Sequence, residues 1–222
     1  MTCRPPSWYA NTMTTAHTDD SVSFAKAMEG IDAANAADPT LVDFEGAQVP
    51  YELFYSRQVT RWVERLRPNA SAALRLAARS QHICRWVVPR KSYPMTRPGY
   101  LKWRSDLKKI HAEKSQEILG NAGCSPELIT RVRSLNLKEN LGHDDELQVL
   151  EDALCLVTLE HQLADLIRKT EPEKLTSILQ KTWKKMSPAA HDIALTLPYT
   201  EDQKQVLAVA LTPPASEEAP AS

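Results

Sequence analysis

Leu147-Gln148-Val149-Leu150-Glu151-Asp152-Ala153-Leu154-Cys155-Leu156-Val157-Thr158-Leu159 is the run on which the fold turns. It contains neither Gly nor Pro and is apolar enough for a buried central helix, yet two adjacent carboxylates stand at its middle. Leu147, Leu150 and Leu154 flank Glu151, while Val149, Leu156 and Leu159 flank Asp152, which sets both acids at the core boundary. An ionised carboxylate there needs a cation, either an Arg or Lys side chain or a metal ion.

Outward from that helix the same pattern recurs. Phe24, Ala27, Met28, Ile31 and Ala34 repeat at helical spacing, and Asp38-Pro39 ends the run. A polar connection with Gly46 leads to Pro50 and a second helix to about Leu66, striped by Leu53, Phe54, Val59, Trp62, Val63 and Leu66. Ser71 is a good N-cap for a third helix, Ala72 to Trp86. Three prolines and a glycine make 89–99 a loop, after which Pro98 opens a fourth helix to about Asn121. Ser125-Pro126-Glu127 starts a fifth helix to about Leu135, and Asp144 or Asp145 caps the central helix, which runs to about Thr170. Pro172 and Ser187-Pro188 begin two further helices, and Thr200-x-x-Gln203 forms a capping box for a last one to Leu211.

No convincing alternating strand, heptad run or solenoid period interrupts this series. The expectation is an all-α globular bundle of eight or nine helices: a disordered leader over 1–20, one domain over 21–211 and a disordered tail over 212–222. A chain of 222 residues buries roughly 70% of its unfolded surface, which supports a core without disulfide staples.

A formal net charge of -1 removes any global attraction to nucleic acid or anionic lipid, so such a role needs a local patch. Cys3, Cys84, Cys124 and Cys155 form no C-x-x-C pair and suit reduced thiols in a cytoplasmic or nuclear protein. No apolar run reaches the roughly 18 residues of a membrane span, and the first twenty residues lack an apolar signal core.

Two constellations carry chemistry. His82 and His111 fall within predicted helices whose side chains can face a common interior, and with Glu151 and Asp152 they make a set for a divalent metal, since imidazole and carboxylate are its natural donors. The competing reading hydrogen-bonds the histidines and pairs the acids with Arg57, Arg79 or Arg104. The second constellation is basic and aromatic: Arg85-Trp86, Arg90-Lys91-Ser92-Tyr93, Arg97, Tyr100, Lys102-Trp103-Arg104 and Lys108-Lys109, opposed between Arg79 and Lys109 only by Asp106. Guanidinium forks match phosphate oxygens and aromatic rings stack on bases, so this surface suits a phosphate or nucleotide, or alternatively an ordinary solvated face. Lys185-Met186-Ser187 looks like a class I aminoacyl-tRNA synthetase signature, but Pro188-Ala189 follows and no HIGH-type sequence accompanies it, which argues against that activity.

Ile31-Asp32-Ala33-Ala34-Asn35, Gln81-His82-Ile83, Ser92-Tyr93-Pro94-Met95, Gly99-Tyr100-Leu101-Lys102-Trp103-Arg104, Leu150-Glu151-Asp152-Ala153-Leu154-Cys155-Leu156 and Lys181-Thr182-Trp183-Lys184-Lys185-Met186-Ser187 together resemble a family of unknown function, DUF4202, over about Phe24 to Leu197. More remotely the layout is similar to the all-α HD-domain metal phosphohydrolases. Leu76 to Ile83 resembles the Ala-rich helix carrying that family's His-Asp pair, and Glu151-Asp152-Ala153 its late Asp. Leu53 to Gln58 lacks the first His, and Ile83 stands where the pattern has Asp.

What this resemblance implies is a metal-dependent phosphohydrolase acting on a phosphorylated small molecule or nucleotide. His82, His111 and Asp152 would hold the divalent ion, with Glu151 a further ligand or general base, so that Glu151 and Asp152 are the catalytic acids. Arg85, Arg90, Lys91, Tyr93, Lys102 and Arg104 would bind the phosphate. The alternative expectation is a non-catalytic nucleotide- or RNA-binding module using the basic-aromatic 85–104 segment.

Overall fold

The computed structural model describes the backbone of residues 8–140 and 142–212, and side chains within that range from Ser21 onward. Of the expected leader only residues 1–7 fall outside it, residues 8–20 being helical rather than disordered, while 213–222 of the expected tail lie outside it. Two compact units divide the chain, Met1–Leu147 and Gln148–Ser222.

In the first unit α1 (Trp8–Ala36) begins well ahead of its side-chain period at Phe24. A two-stranded antiparallel hairpin follows, β1 (Leu41–Phe44) and β2 (Ala47–Pro50), with Leu41 opposite Pro50 and Phe44 opposite Ala47. This corrects the expected polar connection. Glu45 and Gly46 both have positive φ, 53° and 79°, the two-residue turn whose twist suits a hairpin, but strands of four residues are too short to show alternation in the sequence. The rest of the unit is helical: α2 (Tyr51–Leu66), α3 (Ala72–Ser80), α4 (Arg97–Asn121) and α5 (Pro126–Leu137). α3 packs on α2 and α5, α4 on α5, and α1 lies against α2, α3 and α4. Ile31, Trp62, Leu74, Leu76, Ile83, Leu119 and Leu135 are fully buried between them.

α3 stops six residues short of the expected Trp86. Cys84 adopts the left-handed region at φ 55°, and the chain from Gln81 to Tyr93 is made of turns and two short 3-10 segments, Arg85–Val87 and Arg90–Ser92. Tertiary bonds replace the helical ones. The Ile83 carbonyl, which a continued helix would pair with Val87, accepts instead from His111 Nδ1 at 2.7 Å, and Gln81 Nε2 donates to Asn136 Oδ1 at 2.9 Å. His82 therefore sits on a turn rather than a helix.

α6 (Asp145–Val157) contains the unit boundary. Asp144 Oδ1 accepts from the Glu146 and Leu147 amides, and the Asp144 carboxylate is itself bonded by Arg131, which also holds Glu146. The helix continues through a π-helical turn, Thr158–Gln162, into α7 (Leu163–Lys169). α8 (Pro172–Lys185), α9 (Pro188–Leu195) and α10 (Glu201–Leu211) complete the second unit, where α8 packs on α7 and α10. Ser71, Ser125 and Ser187 cap their helices through Oγ as their sequence positions predict, and Thr200 and Gln203 form the complete capping box.

Candidate functional site

In the first unit α2, the turn after α3, and α4 bring three titratable side chains together. Glu52 stands in the first turn of α2, where its amide donates to Asp38 Oδ2 at 3.0 Å. His82 stacks flat on Tyr55, one turn further along α2, with centroids 4.4 Å apart and 7° between the planes. Its ring lies 6.0 Å from that of His111, and its Nδ1 is 3.6 Å from Glu52 Oε2.

The hydrogen bonds decide the tautomers. Arg85 can only donate, so His82 Nε2, 3.3 Å from Arg85 Nη1, is an acceptor and the proton is on Nδ1, facing Glu52. The Ile83 carbonyl can only accept, so His111 carries its proton on Nδ1 and offers a lone pair at Nε2. His111 Nε2 and Glu52 Oε2 are both buried without a hydrogen-bond partner, in side chains 5% and 4% exposed.

Burial dominates the charge states. It pushes the Glu52 carboxyl up to about 8, against the opposing pull of Arg85 and with help from Asp38. It pushes His111 down to about 4 and His82 well below its usual range, and the charges of Arg85 and Arg104 lower both further. At neutral pH the site holds a protonated carboxyl and two neutral imidazoles, so the Glu52–His82 contact is not an ion pair.

Most of the basic-aromatic segment is employed in holding itself together. Arg90 donates to the carbonyls of Tyr93, Pro94 and Thr96, at 3.0, 2.8 and 3.3 Å, and lies over Tyr100 and Trp103. Lys102 Nζ and Tyr93 Oη both donate to Asp106, which holds its carboxyl below the usual carboxylate range. Trp103 Nε1 donates to the Val88 carbonyl, and Arg85 stacks on the Trp103 ring at 4.8 Å. Lys91 and Arg104 are exposed, and Arg104 has no hydrogen bond or ion pair among the described residues. Of the six cationic and phenolic residues expected to bind phosphate, Arg85 and Arg104 are the two whose charge bears on the histidines.

Two of the three arginines expected to pair with the central acids, Arg57 and Arg79, are held by another carboxylate, Asp32, each at 3.1 Å. In the second unit Asp152 Oδ1 accepts from the Ser187 amide at 2.8 Å and from Gln148 Nε2 at 3.0 Å, while Oδ2 accepts from Ser187 Oγ at 2.7 Å. Asp152 thus anchors the start of α9. Glu151 is buried, 4% exposed. Among the described residues no group of three or more His, Cys, Asp or Glu side chains is placed to hold a metal ion. Of the donors named for the metal, His82 Nε2 faces Arg85 within the first unit, and both Asp152 oxygens accept hydrogen bonds within the second.

Sequence reasoning missed Glu52. The signal available was a carboxylate on the apolar stripe of α2, one residue before Leu53 and three before Tyr55.

Fold and site together define an all-α domain with a buried carboxyl–imidazole cluster under a cationic turn. The chain belongs to the family described as Domain of unknown function (DUF4202), whose model matches residues 25–207. No curated protein and no solved structure matches the chain. Among the described residues no helix is long and apolar enough to cross a membrane, and Cys84, Cys124 and Cys155 form no disulfide.

Proposed function

We propose that the first unit binds a phosphorylated small molecule or nucleotide at the turn carrying His82 and Arg85, and that the domain is a phosphohydrolase for that compound in the cytoplasm. The observation that supports it is the pairing of two cations, Arg85 and Arg104, with two neutral imidazoles, with no carboxylate at ion-pairing distance from either cation among the described residues. A phosphate dianion supplies the charge such a pair lacks, and guanidinium matches its oxygens. Calorimetric titration with inorganic phosphate and adenosine monophosphate tests the binding. The R85A/R104A double variant is expected to bind about tenfold or more weakly, and unchanged affinity would overturn the reading. Phosphate release from a nucleotide panel, measured with added Mn2+ and with chelator, tests the hydrolase and metal components of the HD-type resemblance.

A second reading, a non-catalytic RNA- or nucleotide-binding module, is favoured by the exposure of Val87, Met95, Tyr100 and Leu101 among Lys91, Arg97 and Lys102. RNA affinity that falls steeply with salt, with no phosphate release from any nucleotide, supports this reading over hydrolysis.

A further inference from the structure

One side of α4 is a packing surface in its C-terminal half and uncovered in its N-terminal half. His111, Ser115 and Leu119, spaced by four, are buried there; His111 Nδ1 donates to the Ile83 carbonyl, and Ser115 Oγ accepts from Asn136 Nδ2 of α5 at 3.1 Å. Counting back by threes and fours along the same stripe gives Lys108, Arg104, Leu101 and Arg97. Arg97, Leu101 and Arg104 are exposed, Leu101 by 57%, and Lys108 is half-buried. The packing side of the helix thus runs out of the bundle without a partner.

Nothing on the helix relieves the charge of this uncovered part. Arg97, Arg104 and Lys108 have no hydrogen bond or ion pair among the described residues. Asp106, nine residues on from Arg97, falls about half a turn away round the helix and is held by Lys102 and Tyr93. The start of α4 is fixed in shape: Thr96 Oγ1 accepts from the Gly99 amide, and Arg90 binds the carbonyls of Tyr93, Pro94 and Thr96 just ahead of it. A face held in this way loses little freedom when it binds.

The neighbouring rings are already occupied. Trp103 is 7% exposed with Arg85 over it at 4.8 Å, and Arg90 lies over Tyr100 at 5.9 Å, so the stripe offers bases no open stacking platform. Between its cations it offers an aliphatic side chain, Leu101. We propose that this face docks an acidic helix of a partner protein, whose carboxylates pair with Arg97, Arg104 and Lys108 and whose apolar residue packs on Leu101. From Arg97 to Lys108 the face is roughly 16 Å long, three turns, which a partner helix with acids at the same three- and four-residue spacing matches along its length. The proposal goes beyond the phosphate reading; Arg104 alone serves both, so Arg97, Leu101 and Lys108 carry the test.

The test is selection, on the full chain, from a phage-displayed library of helical peptides randomised along one stripe, followed by calorimetric titration of the most enriched peptide. Enriched sequences are expected to carry Glu or Asp on the stripe around one apolar residue. L101D and R97E/K108E are each expected to weaken that peptide about tenfold or more, with an unchanged melting temperature showing that the variants are folded. The same peptide with Lys in place of its acids is expected to prefer R97E/K108E to the wild type, a reversal that a structural defect does not produce. Enrichment without an acidic stripe, or affinity indifferent to both variants, overturns the proposal. Oligouridine RNA that binds more tightly than the selected peptides, is lost in R97E/K108E and survives L101D assigns the face to RNA and also overturns it. A dimer in sedimentation that L101D dissociates makes the occupant a second copy of the chain, with the same consequence. Titration of the wild type with inorganic phosphate decides the phosphate reading separately, so either can fail while the other stands.

Discussion

Glu52 Oε2 stands 3.6 Å from His82 Nδ1, and neither group carries charge at neutral pH. A histidine next to a glutamate ordinarily gains a proton. Here burial of both groups defeats that tendency, and the Arg85 and Arg104 cations lower His82 further, while Arg85 pulls the Glu52 carboxyl the other way. The pair is a store of proton affinity rather than a salt bridge, and its consequences are measurable.

The first concerns stability against pH. Glu52 has a folded value near 8 against about 4.5 unfolded, so the folded state binds more protons than the unfolded one between these values. Stability from this group is fully present below pH 4.5 and is lost as pH rises through 8. At about 1.4 kcal/mol for each unit of difference, the loss reaches several kcal/mol. In urea unfolding followed from pH 5 to pH 9, E52Q is expected to flatten the decline and to exceed the wild type at pH 9. Parallel curves for the two proteins would refute the assignment.

Asp152 is a structural anchor in its unit, so its removal should cost stability whatever the metal content. Losing the bonds to the Ser187 amide, Ser187 Oγ and Gln148 Nε2 is expected to destabilise D152A by about 3 kcal/mol. S187A, which removes one of the three bonds and the α9 cap, should cost roughly half as much. Thermal melts with and without added divalent ion are expected to show the same differences.

Two glycines in helices separate forgiving from unforgiving contacts. A Cβ at Gly99 would clash with the Pro94 carbonyl oxygen, backbone that the Arg90 bonds hold in place, so G99A should cost about 3 kcal/mol. At Gly30 the obstacle is a side-chain methyl, Ile118 Cγ2 at 2.8 Å, and the helix propensity of alanine returns about 1 kcal/mol. G30A should be nearly neutral, and G30A/I118V more stable than the wild type. Chemical denaturation of the set gives the ranking.

Arg90 and Arg104 divide labour that their sequence neighbourhood does not distinguish. R90A removes a guanidinium bonded to three carbonyls and is expected to destabilise by about 2 kcal/mol, with altered Trp103 fluorescence. R104A, at an exposed residue, should change stability by less than about 0.5 kcal/mol while weakening phosphate affinity. Equal stability losses in the two variants would contradict this division.

Local chemistry made much of the architecture readable in advance. Ser71, Ser125, Ser187 and the Thr200–Gln203 box cap helices where a short side-chain oxygen reaches the next turn, a relation spanning three residues. The all-α class followed from the 3.6-residue period of the apolar positions. The β1–β2 hairpin escaped because it is held by eight residues and a Glu45-Gly46 turn, too few for alternation to register. The early end of α3 escaped because its cause lies 28 residues away, in the His111 bond to the Ile83 carbonyl.

The candidate site shows the same division more sharply. His82, His111, Arg85 and Arg104 are notable in the sequence by residue type alone, and the fold relates all four through the charge states of the two imidazoles. Glu52 and Asp152 look alike there, each a carboxylate in an apolar stripe. What separates them is what surrounds each carboxylate: Asp152 finds Ser187 and Gln148 as donors, while Glu52 is enclosed beside a neutral imidazole and holds its own proton. The sequence by itself determined the helices, their caps and the residue types available, because those depend on near neighbours along the chain. Only the tertiary structure decided which acid is an anchor and which is a proton donor, because desolvation and hydrogen-bond partners come from residues distant in the chain.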